Sequence, residues 1–257
     1  MSSALTACGV LSMESSDNPA NEELTLFTAA SLTDAFEEIG QQFENNHTNI
    51  AVELNIAGSS QLSQQIIRGA PADVFASANR TQMDVVVDAG VLDRQQVELF
   101  AYNELVVVYP RANLAQLMTL TDLSRPEVKL VVAAEEVPVG SYTQTFLDNA
   151  SRDSAFSPSY KTDVLENIVS YEQNVRAVLN KVMLGEADAG VVYRSDVFAN
   201  VDQTAIAILE IPEHLNVQAA YYIAPVRDTS LSRQFVDTVL SPAGQAILES
   251  YGFVPLE

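Results

Sequence analysis

The chain has 257 residues, of which 47% are hydrophobic and 18% charged, a composition typical of a folded protein of one or two domains rather than of a disordered chain. The 34 acidic and 13 basic residues give a net charge of -21, which excludes nucleic-acid binding because that function needs basic surface. No apolar run in the sequence reaches the ~18 residues that a membrane-spanning helix requires.

A candidate lipid-attachment site lies near the start of the sequence. The stretch LTACG at 5–9 resembles the bacterial lipoprotein processing site, which predicts lipidation of Cys8. Residues 1–23 are predicted to form a lipoprotein-like tether, because the stretch after the cysteine is rich in Ser, Asn and Glu. The basic and apolar parts of a full secretion signal are missing, so a cysteine without function remains the alternative. Cys8 is the single cysteine, which excludes a disulfide framework and a thiolate metal site.

From residue 24 onward, short apolar runs alternate with amphipathic segments. Ser31, followed by Asp34, is predicted to cap a helix whose buried face contains Ala35, Phe36, Ile39 and Phe43. Strands are predicted at 24–27, 50–56 and 73–76, and a second helix at 60–68, which Gly69 ends.

The same alternation continues through the rest of the chain. Strands are predicted at 105–109, 129–133, 189–193, 206–211 and 219–224, and helices at 140–150, 175–184 and 243–250. Ser241 and Pro242 are predicted to be the N-cap and first residue of the last helix. Strands that alternate with helices predict α/β architecture with parallel sheets covered on both faces, in which ligands bind at the carboxyl ends of the strands.

Five positions are predicted to lie at these carboxyl ends of strands. Four of them lie just before a predicted helix and the fifth ends a strand: Ser31, Ser59, Val139, Val175 and Tyr193. Taken singly, a serine here is typical of a helix cap, and a tyrosine at a strand end is typical of a half-buried core residue. Their common location is what suggests a binding site.

Several blocks of sequence resemble the periplasmic molybdate-binding proteins of ABC transporters. The most specific are TAASLTDAF at 28–36, AGSSQL at 57–62 and GAPADVFASA at 69–78. Further matches are VPVGSY at 137–142, NVR at 174–176, GVVYRSD at 190–196 and GQAILESYGF at 244–253. The resemblance covers roughly residues 24–253, in order.

This resemblance implies a two-lobed type II periplasmic-binding-protein fold, an α/β fold. Each lobe would be a mixed, mostly parallel sheet flanked by helices, and two crossover strands would join the lobes around a ligand cleft. Lobe 1 is expected at 24–102 plus 217–257, and lobe 2 at 103–216. Closure of the lobes on the ligand is expected around these crossings.

The resemblance also implies which atoms hold the ligand. Ser31 and Ser59 would give hydroxyl and backbone N–H donors, Val139 and Val175 backbone N–H donors, and Tyr193 its phenolic hydroxyl. Molybdenum would be bound only as its oxyanion, through these same residues, and tungstate would also bind. A dianion without a proton needs donors, which helix N-termini and hydroxyl groups supply without a cation. Arg176 is expected to form a salt bridge rather than to bind ligand.

The function expected from the resemblance is non-enzymatic. The chain would carry molybdate, as cargo and with no cofactor, to an ABC permease and its ATPase, as a monomer anchored through Cys8 on the periplasmic or extracellular face of the cytoplasmic membrane. Alternatives are a binding protein for another oxyanion such as sulfate or phosphate, a sensor module of the same fold, or a serine hydrolase. The hydrolase is disfavoured because no G-x-S-x-G motif is present and both histidines, His47 and His214, lie in predicted loops.

Overall fold

The computed structural model describes residues 22–198 and 204–256. Cys8 and the predicted tether up to residue 21 lie outside the described residues. No helix in the described part of the chain is long and apolar enough to cross a membrane.

Ten strands in these residues form two five-stranded sheets. The strands are β1 (Glu22–Ala29), β2 (Ile50–Ala57), β3 (Val74–Ser77), β4 (Glu98–Asn103), β5 (Leu105–Pro110), β6 (Leu130–Ala133), β7 (Ile168–Glu172), β8 (Ala189–Tyr193), β9 (Ile206–Glu210) and β10 (Ala219–Pro225). The first sheet has the order β2-β1-β3-β10-β4 and the second the order β7-β6-β8-β5-β9. We call the halves of the molecule built on them lobe 1 and lobe 2.

Both sheets are mixed. In the first, β10 runs antiparallel to its neighbours β3 and β4, whereas β1 pairs in parallel with β2 and β3. In the second, β5 runs antiparallel to β8 and β9, whereas β6 pairs in parallel with β7 and β8. One strand in each sheet therefore opposes the other four, and alternation of strands and helices alone did not predict that reversal.

Helices pack against both sheets. They are α1 (Thr33–Asn46), α2 (Ser59–Ile67), α3 (Arg80–Asp88), α4 (Pro138–Arg152), α5 (Tyr160–Glu166), α6 (Val175–Met183), α7 (Ser195–Phe198), α8 (Ser230–Leu240) and α9 (Pro242–Ser250). The predicted buried face of α1 is confirmed, because Ala35, Phe36, Ile39 and Phe43 are each at most 1% exposed. The cap of α9 is confirmed as well, since Ser241 Oγ accepts the N–H of Gly244 at 3.2 Å.

One capping prediction is wrong. Ser31 does not cap α1, because a 3-10 turn at Ala30–Leu32 precedes the helix and Leu32 is the residue before Thr33. Leu32 already has helical backbone angles, φ -91° and ψ -5°, so no extended residue with a polar side chain stands at the cap. The Ser31 hydroxyl is thereby left for a contact with Tyr221, described below.

The chain crosses between the sheets twice. It leaves the first sheet at Asn103 and enters the second at Leu105, and it returns between Glu210 and Ala219. The lobe limits expected from the sequence stay a prediction. The carboxyl ends of β1, β2, β6 and β8 face a common cleft, where the candidate site is found.

Candidate functional site

A small cavity lies in the cleft between the lobes. Lobe 1 contributes residues after β1, β2 and β3, and lobe 2 contributes the starts of α4 and α6 and the end of β8. The lining consists of Ala29, Ala30, Ser31, Gly58, Ser59, Ala78, Val137, Pro138, Val139, Asn174, Val175 and Tyr193. The structure therefore brings all five residues singled out in the sequence to one place.

Backbone N–H groups at helix starts surround this cavity. Ser59 and Val175 are the first residues of α2 and α6, and Val139 is the second residue of α4. The first N–H groups of a helix have no carbonyl partner within that helix and carry its partial positive charge. In residues 22–198 and 204–256, none of these three N–H groups has a hydrogen-bond acceptor. They are available to an anion.

Each of the two serine hydroxyls in the lining has one hydrogen-bond partner. Ser59 Oγ accepts the backbone N–H of Ala78 at 3.0 Å, so its own O–H is free to donate elsewhere. Ser31 Oγ lies 2.8 Å from the hydroxyl of Tyr221, where either oxygen can be the donor. Both serines are buried, at 4% and 1% exposure for Ser31 and Ser59.

Tyr193 supplies a phenol without a partner. Its side chain is 1% exposed, and within the described residues its hydroxyl makes no hydrogen bond. A buried hydroxyl that lacks a partner costs about 1–3 kcal/mol, so such groups are rare unless a ligand or water satisfies them. Burial also raises the pKa of Tyr193 well above its usual value, so the phenol keeps its proton and acts as a donor.

No charged side chain lines this cavity among the residues that the structure describes. Arg176 follows Val175 directly, yet its guanidinium forms an ion pair with Asp34 of α1 and a second, at 3.0 Å from Nε to Oδ1, with Asp196 of α7. The expected salt bridge of Arg176 is confirmed. Since Asp34 belongs to lobe 1 and the other two residues to lobe 2, we call these three residues the inter-lobe ion cluster.

The Asp196 carboxyl of this cluster is fully buried. Burial raises the pKa of Asp196 to about 6, although the charge of Arg176 and the backbone N–H of Tyr193 both oppose the rise. The same N–H donates to Asp196 Oδ2 at 3.1 Å. The cluster thus contacts the backbone of a cavity residue while its charges stay outside the cavity.

Uncharged contacts also join the two lobes. Gln61 Nε2 donates to Gln173 Oε1 at 2.6 Å, and Gln82 Nε2 donates to the carbonyl of Glu136 at 3.2 Å. At Gly58 the lobes come so close that an added Cβ would lie 2.3 Å from the carbonyl oxygen of Gln173. The described structure is therefore a closed arrangement, and Gly58 permits it.

Sequence reasoning missed the residues behind the cavity wall. Tyr221 touches Ser31 across 190 residues of chain, and Asn103 reaches Tyr221 across 118. The apolar run at 219–224 predicted a strand but gave no signal that one of its tyrosines would contact Ser31.

The chain matches the family described as bacterial extracellular solute-binding protein over residues 24–254. It is 39% identical over 255 residues to the molybdate-binding protein ModA of Mycobacterium tuberculosis (strain H37Rv), with 97% of this chain and 92% of that protein covered. A solved structure, the substrate binding domain of a putative molybdenum ABC transporter from Clostridium difficile, is 29% identical with a TM-score of 0.65, covering 91% of this chain and 99% of that one. The sulfate-binding protein SubI of Mycobacterium tuberculosis H37Rv has a TM-score of 0.80 at 14% identity, covering 92% and 88%, and shows a shared fold alone. These likenesses confirm the predicted two-lobed fold.

Proposed function

This chain belongs to the family of bacterial extracellular solute-binding proteins, and from that premise we propose that its cavity captures molybdate, and tungstate as well, for delivery to an ABC importer. The family is one of binding proteins and not of enzymes. The observation that carries the choice of an oxyanion is the donor set of the cavity: free N–H groups and an unpartnered buried phenol, with no charged side chain in the described lining.

The proposed ligand contacts are the five residues predicted from the sequence. Ser31 and Ser59 would donate through hydroxyl and N–H groups, Val139 and Val175 through N–H groups, and Tyr193 through its phenol. Each hydrogen bond to a charged group contributes about 1.5–3 kcal/mol, so several together can offset the cost of dehydrating a dianion. Molybdenum would be bound as the oxyanion only, as a transported solute and not as a cofactor.

Sulfate is the second candidate ligand, because it has the same charge and tetrahedral shape and because SubI shares the fold. Cavity size would have to distinguish the two anions. Phosphate is less well matched: at neutral pH it carries a proton that needs an acceptor, and the lining described above contains no carboxylate. A large organic anion would not fit into so small a cavity.

The location and partners follow from the same proposal. An extracellular binding protein of this kind would deliver its ligand to a membrane permease coupled to an ATPase, and would act as a monomer. We propose that Cys8 carries the lipid anchor. Mass spectrometry of the protein from membranes of an expressing bacterium would find a lipid on Cys8, and an unmodified Cys8 there would contradict the anchor.

Titration calorimetry with four oxyanions tests the proposed function. We expect molybdate and tungstate to bind with similar affinity, sulfate to bind more weakly and phosphate to give no measurable heat. Tyr193→Phe should weaken molybdate binding, whereas Tyr160→Phe, which removes a buried phenol that donates to the carbonyl of Leu120, should not. Absence of binding to all four anions, or a preference for phosphate, would refute the proposal.

A further inference from the structure

We infer that Tyr221 and Asn103 are positioning residues that direct the hydroxyl of Ser31 to donate into the cavity. The inference rests on the proposed function, since it concerns how the same site recognises its anion. Neither residue lines the cavity. Both are buried behind it, at 0% exposure.

The amide of Asn103 is held in one orientation. Its Oδ1 accepts the backbone N–H of Glu104 at 2.9 Å and that of Ser195 at 3.5 Å. Two backbone donors require the amide oxygen on that side, which leaves the Nδ2 group on the other. That group donates to Ser195 Oγ at 2.8 Å and to Tyr221 Oη at 3.5 Å. Tyr221 therefore receives a proton donor from Asn103.

The direction of the next hydrogen bond follows. Burial raises the pKa of Tyr221 well above its usual value, so its phenol keeps a single proton. If that proton is donated to Ser31 Oγ, at 2.8 Å, the proton of Ser31 is left to point into the cavity. The opposite direction would aim a lone pair of Ser31 at the anion, which repels it. An anion in the cavity selects the first arrangement.

The hydroxyl of Ser59 is oriented in the same way, but by a backbone N–H group. The N–H of Ala78 donates to its Oγ at 3.0 Å, and a backbone N–H cannot reverse its role. Both serine hydroxyls therefore present hydrogen rather than lone pairs to the cavity, one fixed by the backbone and the other by two side chains. The ligand class that this arrangement favours is an oxyanion without a proton, and Tyr221 with Asn103 contributes to that specificity.

A double-mutant cycle between Tyr221 and Ser31 tests the inference. Tyr221→Phe keeps the ring, which packs against Phe100, Tyr193 and Phe253, and removes only the hydroxyl. We expect it to lower molybdate affinity about tenfold in the wild-type background and by less than about twofold when Ser31 is already alanine. Tyr160→Phe is the matched control and should change affinity in neither background.

The Asn103→Asp variant tests independently whether Asn103 and Tyr221 act on binding through the Ser31 hydroxyl. The carboxylate can still accept both backbone N–H groups but cannot donate to Tyr221, so it would draw the phenol proton away from Ser31. We expect a loss of affinity at neutral pH that is partly recovered as the pH falls and the new acid is protonated, and a smaller loss in the Ser31→Ala background.

The outcomes separate the two proposals. If the wild type binds no oxyanion, the proposed function fails and the inference fails with it. If the wild type binds molybdate but the penalty of Tyr221→Phe is the same with and without the Ser31 hydroxyl, Tyr221 has a structural role alone and the positioning role is refuted. The positioning role is refuted as well if Asn103→Asp costs as much affinity in the Ser31→Ala background as in the wild type.

Discussion

Two neighbouring regions of the cleft differ in their charged groups. The cavity is lined by N–H and O–H donors, whereas the inter-lobe ion cluster holds a guanidinium between two carboxylates. Val175 and Arg176 are adjacent in sequence, yet one supplies a backbone donor to the cavity and the other turns its charge towards Asp34 and Asp196. A cation within reach of the cavity is thus already neutralised by other partners.

A site without a charged side chain can release its anion more readily when the lobes open. A buried ion pair between an arginine and the ligand would have to be broken each time the ligand left, at a cost of several kcal/mol. Dipolar donors hold a dianion with less to break, while the charge of Arg176 links the lobes instead. The net charge of -21 does not oppose this, because charges separated by more than ~10 Å of salty water are largely screened.

The largest expected effect comes from deleting one backbone donor. Val175→Pro removes the N–H at the first position of α6, where proline is tolerated, and Asn174 before it is already extended at φ -160° and ψ 166°. We expect molybdate affinity to fall by about 10- to 100-fold, because a hydrogen bond to a charged ligand is lost. Val175→Ala keeps the N–H and should stay within about threefold of the wild type. Equal losses in both variants, measured by calorimetry, would assign the effect to packing.

The hydroxyl donors come next. Ser31→Ala and Ser59→Ala should each cost about 1–2 kcal/mol of binding free energy, which corresponds to about tenfold in affinity. Tyr193→Phe should cost less than either, because it removes one donor and leaves the backbone set intact. Ser151→Ala, which removes a hydroxyl bonded to the Leu147 carbonyl in α4, serves as control. Unchanged affinity in all three site variants would remove the site assignment.

Weakening the inter-lobe ion cluster should have a smaller effect. Asp34→Asn removes the lobe 1 partner of Arg176 and should reduce molybdate affinity about fivefold, since a partly exposed ion pair contributes about 1 kcal/mol. Asp148→Asn removes a pair with Lys161 within lobe 2 and should leave affinity unchanged. Small-angle scattering should show that molybdate compacts the wild type more completely than the Asp34→Asn variant at the same molybdate concentration. Equal compaction of the two proteins would mean that the ion pair between Asp34 and Arg176 does not assist closure.

Replacing Asp196 should have the smallest effect on binding. Its main effect is expected on the pH dependence of stability. Its pKa of about 6 in the folded protein lies above the ordinary 3.8, so the folded state retains a proton that the unfolded state has lost between these values. The stability contribution of this carboxyl is therefore present below pH 3.8 and lost as the pH rises through about 6. Melting scans should find that the Asp196→Asn variant gains stability relative to the wild type as the pH rises from about 4 to 7. A difference that is independent of pH would contradict the raised pKa.

The fold was predictable where local patterns repeat. The apolar face of α1 and the Ser241–Pro242 start of α9 follow from helical periodicity and capping chemistry, and the structure has both. The helix α3 was not predicted, although Asn79 caps it by accepting the N–H of Gln82 at 2.9 Å. The directions of β5 and β10 were not predictable either, because strand pairing depends on contacts that are distant in sequence.

The residues that line the cavity were predictable from the sequence, whereas the residues that position them were not. Residues that begin helices after strands fall at one edge of a sheet, so the sequence alone could place Ser59 and Val175 together. Tyr221 lies on a predicted strand whose pattern indicates only burial, and Asn103 ends β4, which was not predicted. Their contacts with each other and with Ser31 arise from the packing of lobe 1. The cap predicted at Ser31 failed because a 3-10 turn frees that side chain for Tyr221.

The most direct test of the donor cavity is a crystal structure with molybdate, located by the anomalous scattering of molybdenum. We expect the metal in the cleft between the lobes, with its oxygens at about 2.7–3.2 Å from the backbone nitrogens of Val139 and Val175 and from the hydroxyl of Tyr193. Molybdenum bound against the guanidinium of Arg176, or outside the cleft, would contradict it.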